Sequence, residues 1–403
     1  MNPTANPPAV EKERKSVSLL DAWRARIRSG ELGLIPVLIG LAVIWLVFQS
    51  INGHFLSSRN LSNLVLQIAT IGMLGVGETF ILLLGEIDLS IAAVSGVAAG
   101  VLVQLSVAGV SAWLAILAAV LTGAVIGLFQ GWWVTYVGVP SFIVTLAGSL
   151  GYQGILLAML GQEGTVPISD KFLLSIESSY LPAWLSWVLA AAVVAGVAWN
   201  VSRTRQDRFS RGLDAASGAS IGMRIALTAI VAAIVVLVMD SYRGVPVMGL
   251  ILLVFVVFFG FVLQSTQFGR HVYALGGNAE ASRRAGIPVR TIRMAVFTLA
   301  SVMGAIGGIL GASRLGSASP ASGGGNLLMD SIAAAVIGGT SLFGGRGSVY
   351  NALAGALVIG SVENGMDLLS APSSTKYMIE GGILLIAVTI DTLTRRRRQR
   401  AGR

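Results

Sequence analysis

Apolar runs long enough to cross a lipid bilayer recur from Leu34 almost to the C-terminus, and this limits the possible folds more than any other feature. A hydrocarbon core of about 30 Å takes roughly 20 helical residues to cross. The runs fall near 33–51, 61–84, 88–108, 112–137, 141–160, 184–201, 222–239, 246–264, 293–312, 327–343, 348–368 and 376–393. They predict an all-α, polytopic membrane protein of about 12 transmembrane or re-entrant helices. Residues 1–32 form an N-terminal tail, 33–393 the membrane domain and 394–403 a basic C-terminal tail. Only 12% of the residues are charged, against about a quarter in soluble domains.

The distribution of cations sets the expected orientation, because Lys and Arg are retained in cytoplasmic loops. Arg59, Lys171, Arg243, Arg314 and Lys376 fall on one side, and the rest of the 28 Lys and Arg fall on the side that holds both termini. That side is read as cytoplasmic. The polar stretch before Leu34 has no cleavage site after a short apolar segment, so no removable signal peptide is expected. The longest outer loop, Gly161–Ala183, carries Glu163, Asp170 and Glu177 against Lys171 alone, and a soluble partner could dock there.

Several chemistries are excluded. The chain has no cysteine and only His54 and His271, which removes disulfides, thiol catalysis and Cys/His metal sites. No Gly-Lys-Ser/Thr loop occurs, and none of the lysines follows a glycine, so no nucleotide is held in the P-loop manner. No nucleophile, histidine and acid set is spaced for catalysis. The net charge of +9 is spread between apolar spans rather than over one surface, which argues for membrane topology and not nucleic acid.

Small residues recur at four-residue spacing, as in Gly123, Gly127 and Gly131 or Gly304 and Gly308. Such spacing lets helix backbones approach closely and is read as packing. Gly85-Glu-Ile-Asp-Leu-Ser90 is more informative, because two carboxylates lie between apolar runs with almost no loop. Asp88 can accept from free backbone N–H groups at the next helix start. It can also mark a discontinuous helix pair beside a solute path. Glu86, Asp88, Ser90, Gln67, Gln130, Gln153 and Asn364 are the candidate path residues; Glu78, Gln104, Thr145, Asp330 and Glu363 are further polar groups at membrane depth. Amides and hydroxyls suit a neutral polyol, and each can equally bond a neighbouring helix. Trp132, Trp133, Trp184 and Trp187 are read as interface markers.

The segment Phe268–Pro288 stands between two spans on the cytoplasmic side. Gly276-Gly277 permits a turn, Asn278 can cap, and Ala279–Ala285 is compatible with a short surface helix that Gly286 and Pro288 end.

Three ordered blocks carry a resemblance: Gly85-Glu-Ile-Asp-Leu-Ser90, Phe268-Gly-Arg270 with Gly276-Gly-Asn-Ala-Glu-Ala-Ser282, and Ile337-Gly-Gly-Thr-Ser-Leu-Phe-Gly-Gly-Arg-Gly-Ser-Val349. With them the chain resembles the permease subunits of bacterial ribose/xylose-type ABC sugar importers, and most closely the longer xylose branch, from Leu34 to Thr394. Glu86 stands where that family usually has glycine, Ala279 where it has proline, and Tyr350-Asn351 interrupts a small-residue run. An extra helix pair around the basic loop Arg203–Arg211 fits the xylose-like branch. The resemblance implies a subunit of the bacterial inner membrane that binds no cofactor itself and works as a homodimer. It implies ATP-Mg on a separate ATPase subunit, and a periplasmic sugar-binding protein as the second partner. The coupling residues would be Gly276, Gly277, Asn278, Glu280, Ala281, Arg284 and Gly286. A secondary transporter using Glu78, Glu86, Asp88 or Glu363 as proton carrier is the alternative.

Overall fold

The computed structural model describes residues 35–211 and 218–400. The expected N-terminal tail and the last three residues of the basic C-terminal tail lie outside them. The helices are α1 (Ile35–Ile51), α2 (Ser58–Leu83), α3 (Ile91–Val107), α4 (Ala112–Trp132), α5 (Ser141–Leu160), α6 (Lys171–Ser178), α7 (Ala183–Ser210), α8 (Gly218–Asp240), α9 (Val247–Ser265), α10 (Gln267–Gly277), α11 (Ala279–Arg284), α12 (Val289–Leu315), α13 (Leu327–Ile337), α14 (Val349–Leu368) and α15 (Ser373–Arg400). Among the described residues, seven helices are long and apolar enough to cross a membrane: α2, α4 with its π-helical extension to Val137, α5, α7, α8, α9 and α12. The run read as a span over 327–343 is an 11-residue helix, which at 1.5 Å per residue covers only about 16 Å.

α2 and α12 hold the centre. α2 is buried along nearly its whole length, and Met73, Leu74, Phe80 and Ile81 pack with Ile91, Phe297 and Met303 in one core. Small residues make this approach possible, because helices in lipid gain most from close backbone packing. A Cβ at Gly127 would lie 2.6 Å from the Thr298 Cα, and one at Gly308 would lie 2.0 Å from the Ser95 carbonyl oxygen. α7 and α8 pack chiefly on each other and leave Trp184, Trp199, Leu227 and Ile234 exposed. The basic residues Arg203 to Arg208, read as loop, lie on the last turns of α7, where the helix continues beyond its apolar run.

The segment Gly161–Ala183, read as the longest outer loop, is folded rather than open. Val166–Pro167 (β1) pairs antiparallel with Ser317–Ala318 (β2). Asp170 caps α6 by accepting from the Phe172 and Leu173 N–H groups at 2.7 and 3.0 Å. Ser313 Oγ donates to the Leu173 carbonyl at 2.6 Å, fastening α6 onto α12. This sheet end is opposed by a second end, where the α2–α3 loop, the α10–α12 segment and the α13–α14 loop meet.

Candidate functional site

The three sequence blocks, far apart in the chain, converge at that second end through backbone contacts. The Gly345 N–H donates to the Leu83 carbonyl at 2.9 Å. A Cβ at Gly276 would lie 1.7 Å from the same oxygen and 2.6 Å from the Gly345 nitrogen. Gly85, Gly344 and Gly345 adopt φ of +75°, +83° and +71°, the left-handed region that glycine enters without a Cβ penalty. Tyr273 Oη donates to the Gly347 carbonyl at 2.8 Å, and burial pushes its phenol pKa up. Gly276 and Gly277 are thus the last residues of α10 and not the turn the dipeptide suggested; close approach to Leu83 and Gly345 is what calls for the first of them.

Beyond this glycine node α11 stands clear of the bundle. Asn278 Oδ1 accepts from the Ala281 N–H at 2.9 Å, and Gly286, at φ +80°, ends the turn. Gly277, Asn278, Glu280, Ala281, Arg284 and Gly286 are exposed, and only Ser282 is buried. Glu280 pairs with Arg284 at 3.0 Å along the surface.

The α2–α3 loop splits the two carboxylates. Glu86 turns toward the start of α12 and pairs with Arg293 at 3.0 Å. Asp88 is fully buried and accepts from Ser90 N–H at 2.7 Å and Ser90 Oγ at 2.6 Å. Gln130 Nε2 donates to Ser90 Oγ at 2.7 Å and to Tyr152 Oη at 3.2 Å. Thr145 Oγ1 accepts from the Leu89 N–H at 3.0 Å. Asp88, Ser90 and Gln130 therefore form one network that ties the start of α3 to α4 and α5. Glu78 lies fully buried on α2 with neither carboxylate oxygen hydrogen-bonded.

The other candidate path residues are dispersed. Asn364 accepts from Asn60 Nδ2 at 2.7 Å, linking α14 to α2. Gln153 is exposed on the outer face of α5. Gln67 borders a cavity of about 320 Å³ that it shares with Thr70, Arg314, Asn326, Asp330, Glu363 and Tyr377. The segment before α13 dips into the bundle to shape this cavity. Gly323 there packs so closely on α3 that a Cβ would lie 2.1 Å from the Ala92 carbonyl oxygen. Asn326 makes no side-chain cap to α13 and instead donates to Glu380. Arg314, Asn326, Tyr377 and Glu380 were not among the polar groups read as lying at membrane depth. Arg314 and Tyr377 sit at the ends of apolar runs and border the cavity at its rim, Arg314 half-buried and Tyr377 exposed.

A family profile described as branched-chain amino acid transport system / permease component matches residues 60–388. The xylose transport system permease protein of Escherichia coli is 40% identical over 375 residues, covering 92% of this chain and 94% of the relative. The corresponding protein of Haemophilus influenzae is 38% identical and covers 92% and 99%. The ribose import permease protein of Bacillus subtilis is 29% identical and covers 88% and 91%. No solved structure matches the chain.

Proposed function

Because the chain belongs to the permease-component family of branched-chain transport systems, we propose that it is the membrane-spanning subunit of an ATP-driven importer for xylose or a similar pentose. The observation that carries this reading is the 40% identity to a xylose permease along 94% of that relative's length. The chain is a transport component and not a catalyst. In this reading ATP-Mg is held and hydrolysed by a separate ATPase subunit, and a periplasmic sugar-binding protein delivers the solute to the sheet end. Two copies of the chain form the working dimer in the bacterial inner membrane.

The glycine node faces the cytosol, as do both termini, in keeping with the concentration of Lys and Arg on that side. All 12 apolar runs take part in the membrane domain, with α13 re-entrant rather than spanning. α11 is the coupling helix that seats on the ATPase. Closure of two ATPase subunits pushes on α11, and backbone contacts at Gly276, Leu83 and Gly345 pass the movement to the α2–α3 and α13–α14 loops. The solute path then opens alternately to the two sides.

Gly277 offers a clean test, since a Cβ there meets nothing within 4 Å. Gly277→Trp is expected to leave the protein folded in the membrane while abolishing ATPase binding and sugar uptake. Normal binding and uptake in that variant would discard the coupling assignment.

A further inference from the structure

We infer that the cavity at the head of α13 is a transient binding site for one neutral monosaccharide within each copy of the chain, an inference that rests on the reading of the chain as a sugar permease. Its volume of about 320 Å³ falls within the roughly 300–1,000 Å³ of small-molecule sites. Three side chains with unpaired oxygen atoms border it, Gln67 using only its Nε2, which donates to Asp367. Asp330 is 3% exposed, and among the described residues no hydrogen bond reaches its carboxylate. Gln67 is 5% exposed with Oε1 unpaired, and the Thr70 hydroxyl is likewise buried and unpaired. Buried polar atoms without partners are costly to keep in a folded protein, and a ligand that bonds them removes the cost.

The second observation is the position of α13. Its first turn is half-buried up to Asp330, has no side-chain cap from Asn326 and adjoins the cavity. The first backbone N–H groups of a helix have no intrahelical partner and carry the positive end of its dipole. Together with the Arg314 guanidinium they supply donors, while Asp330 and Gln67 Oε1 supply acceptors. A sugar hydroxyl donates and accepts at once, so a polyol satisfies both sets without bringing a charge of its own. A metal cation does not fit: among the described residues no group of three or more His, Cys, Asp or Glu side chains is placed to hold one.

The cavity is closed toward the glycine node. There a Cβ at Gly307 would lie 2.2 Å from Leu74 Cδ1, one at Gly308 would lie 2.0 Å from the Ser95 oxygen, and one at Gly75 would lie 3.4 Å from Ala334 Cβ. A sugar held here faces the sheet end, and passage inward requires these contacts to part.

The test uses the complete transporter, with its ATPase and binding protein, in proteoliposomes supplied with D-xylose. Asp330→Asn and Gln67→Leu are each expected to lower the sugar carried per ATP hydrolysed by about tenfold, the size of effect that follows loss of a bond to a charged or buried polar group. Because the chain lacks cysteine, Gly311→Cys places a sole thiol at the cavity wall, where a Cβ makes only an ordinary 3.6 Å contact with Thr70. D-Xylose is expected to slow alkylation of that thiol severalfold, and sodium chloride at the same osmolality is not. Wild-type protein without ATP-driven xylose uptake would overturn the permease reading and this proposal together. Active wild type, with an unchanged transport ratio in both variants and no protection of Cys at 311, would overturn the cavity assignment alone.

Discussion

Gly276 and Leu83 meet backbone to backbone, so closely that a Cβ on the glycine would lie 1.7 Å from the leucine's carbonyl oxygen. This contact joins the end of α10 to the end of α2, and through the Gly345 N–H bond to Leu83 it includes the α13–α14 loop. A movement imposed on α11 therefore has a stiff route into the centre of the bundle.

The neighbouring glycine should behave differently. Gly276→Ala forces backbone apart and is expected to cost about 1–3 kcal/mol or more, lowering the thermal midpoint of the detergent-solubilised protein. Gly277→Ala, with open space around it, should unfold at the wild-type temperature. Equal midpoints for the two variants would count against the node.

Glu86 and Arg293 provide a second strap between the same regions. Their side chains are 18% and 27% exposed, so the pair is partly screened and is worth about 0.5–2 kcal/mol. Glu86→Arg and Arg293→Glu are each expected to destabilise the protein, and the double reversal should recover part of the loss. A double-mutant cycle in chemical unfolding measures this, and additive losses would show that the two charges do not interact.

How much of this was legible in the sequence depends on the range of the contact. The apolar runs mark where helices lie because lipid demands a long apolar stretch locally. The Asn278 cap and the Gly286 stop were legible for the same reason. Gly276 was read as a turn former, since its true constraint comes from Leu83 and Gly345, which are distant in the chain. The half-length α13 was concealed because Gly338–Phe343 continues its apolar run without continuing its helix. Asp330 and Glu363 were identifiable as polar groups at depth, but their shared cavity with Gln67 and Arg314 depends on how helices are packed against one another.

The network at the start of α3 predicts a packing defect with a defined origin. Gln130→Leu removes the amide that bonds Ser90 Oγ and Tyr152 Oη and is expected to cost about 1–3 kcal/mol. Thermal unfolding in detergent checks this; an unchanged midpoint would mean that Ser90 and Asp88 are held without α4.

Tyr350 occupies the space that Gly260 leaves open, with a Cβ at residue 260 lying 2.2 Å from its ring Cζ. Gly260→Ala displaces the tip of the exposed Tyr350 ring and not backbone, so it should cost less than about 1 kcal/mol, and adding Tyr350→Ala should remove that cost in the same assay. Failure of the second change to rescue the first would place the clash elsewhere.

The central claim is that α11 lies in the cytosol and receives the ATPase, and labelling one introduced thiol tests it most directly. Arg284→Cys supplies the only cysteine in the chain on an exposed position. A membrane-impermeant maleimide should leave it unmodified in intact cells, modify it fully in inside-out vesicles, and be blocked when the ATPase subunit is added. Labelling from outside intact cells, or labelling in vesicles that the ATPase does not diminish, would contradict the account.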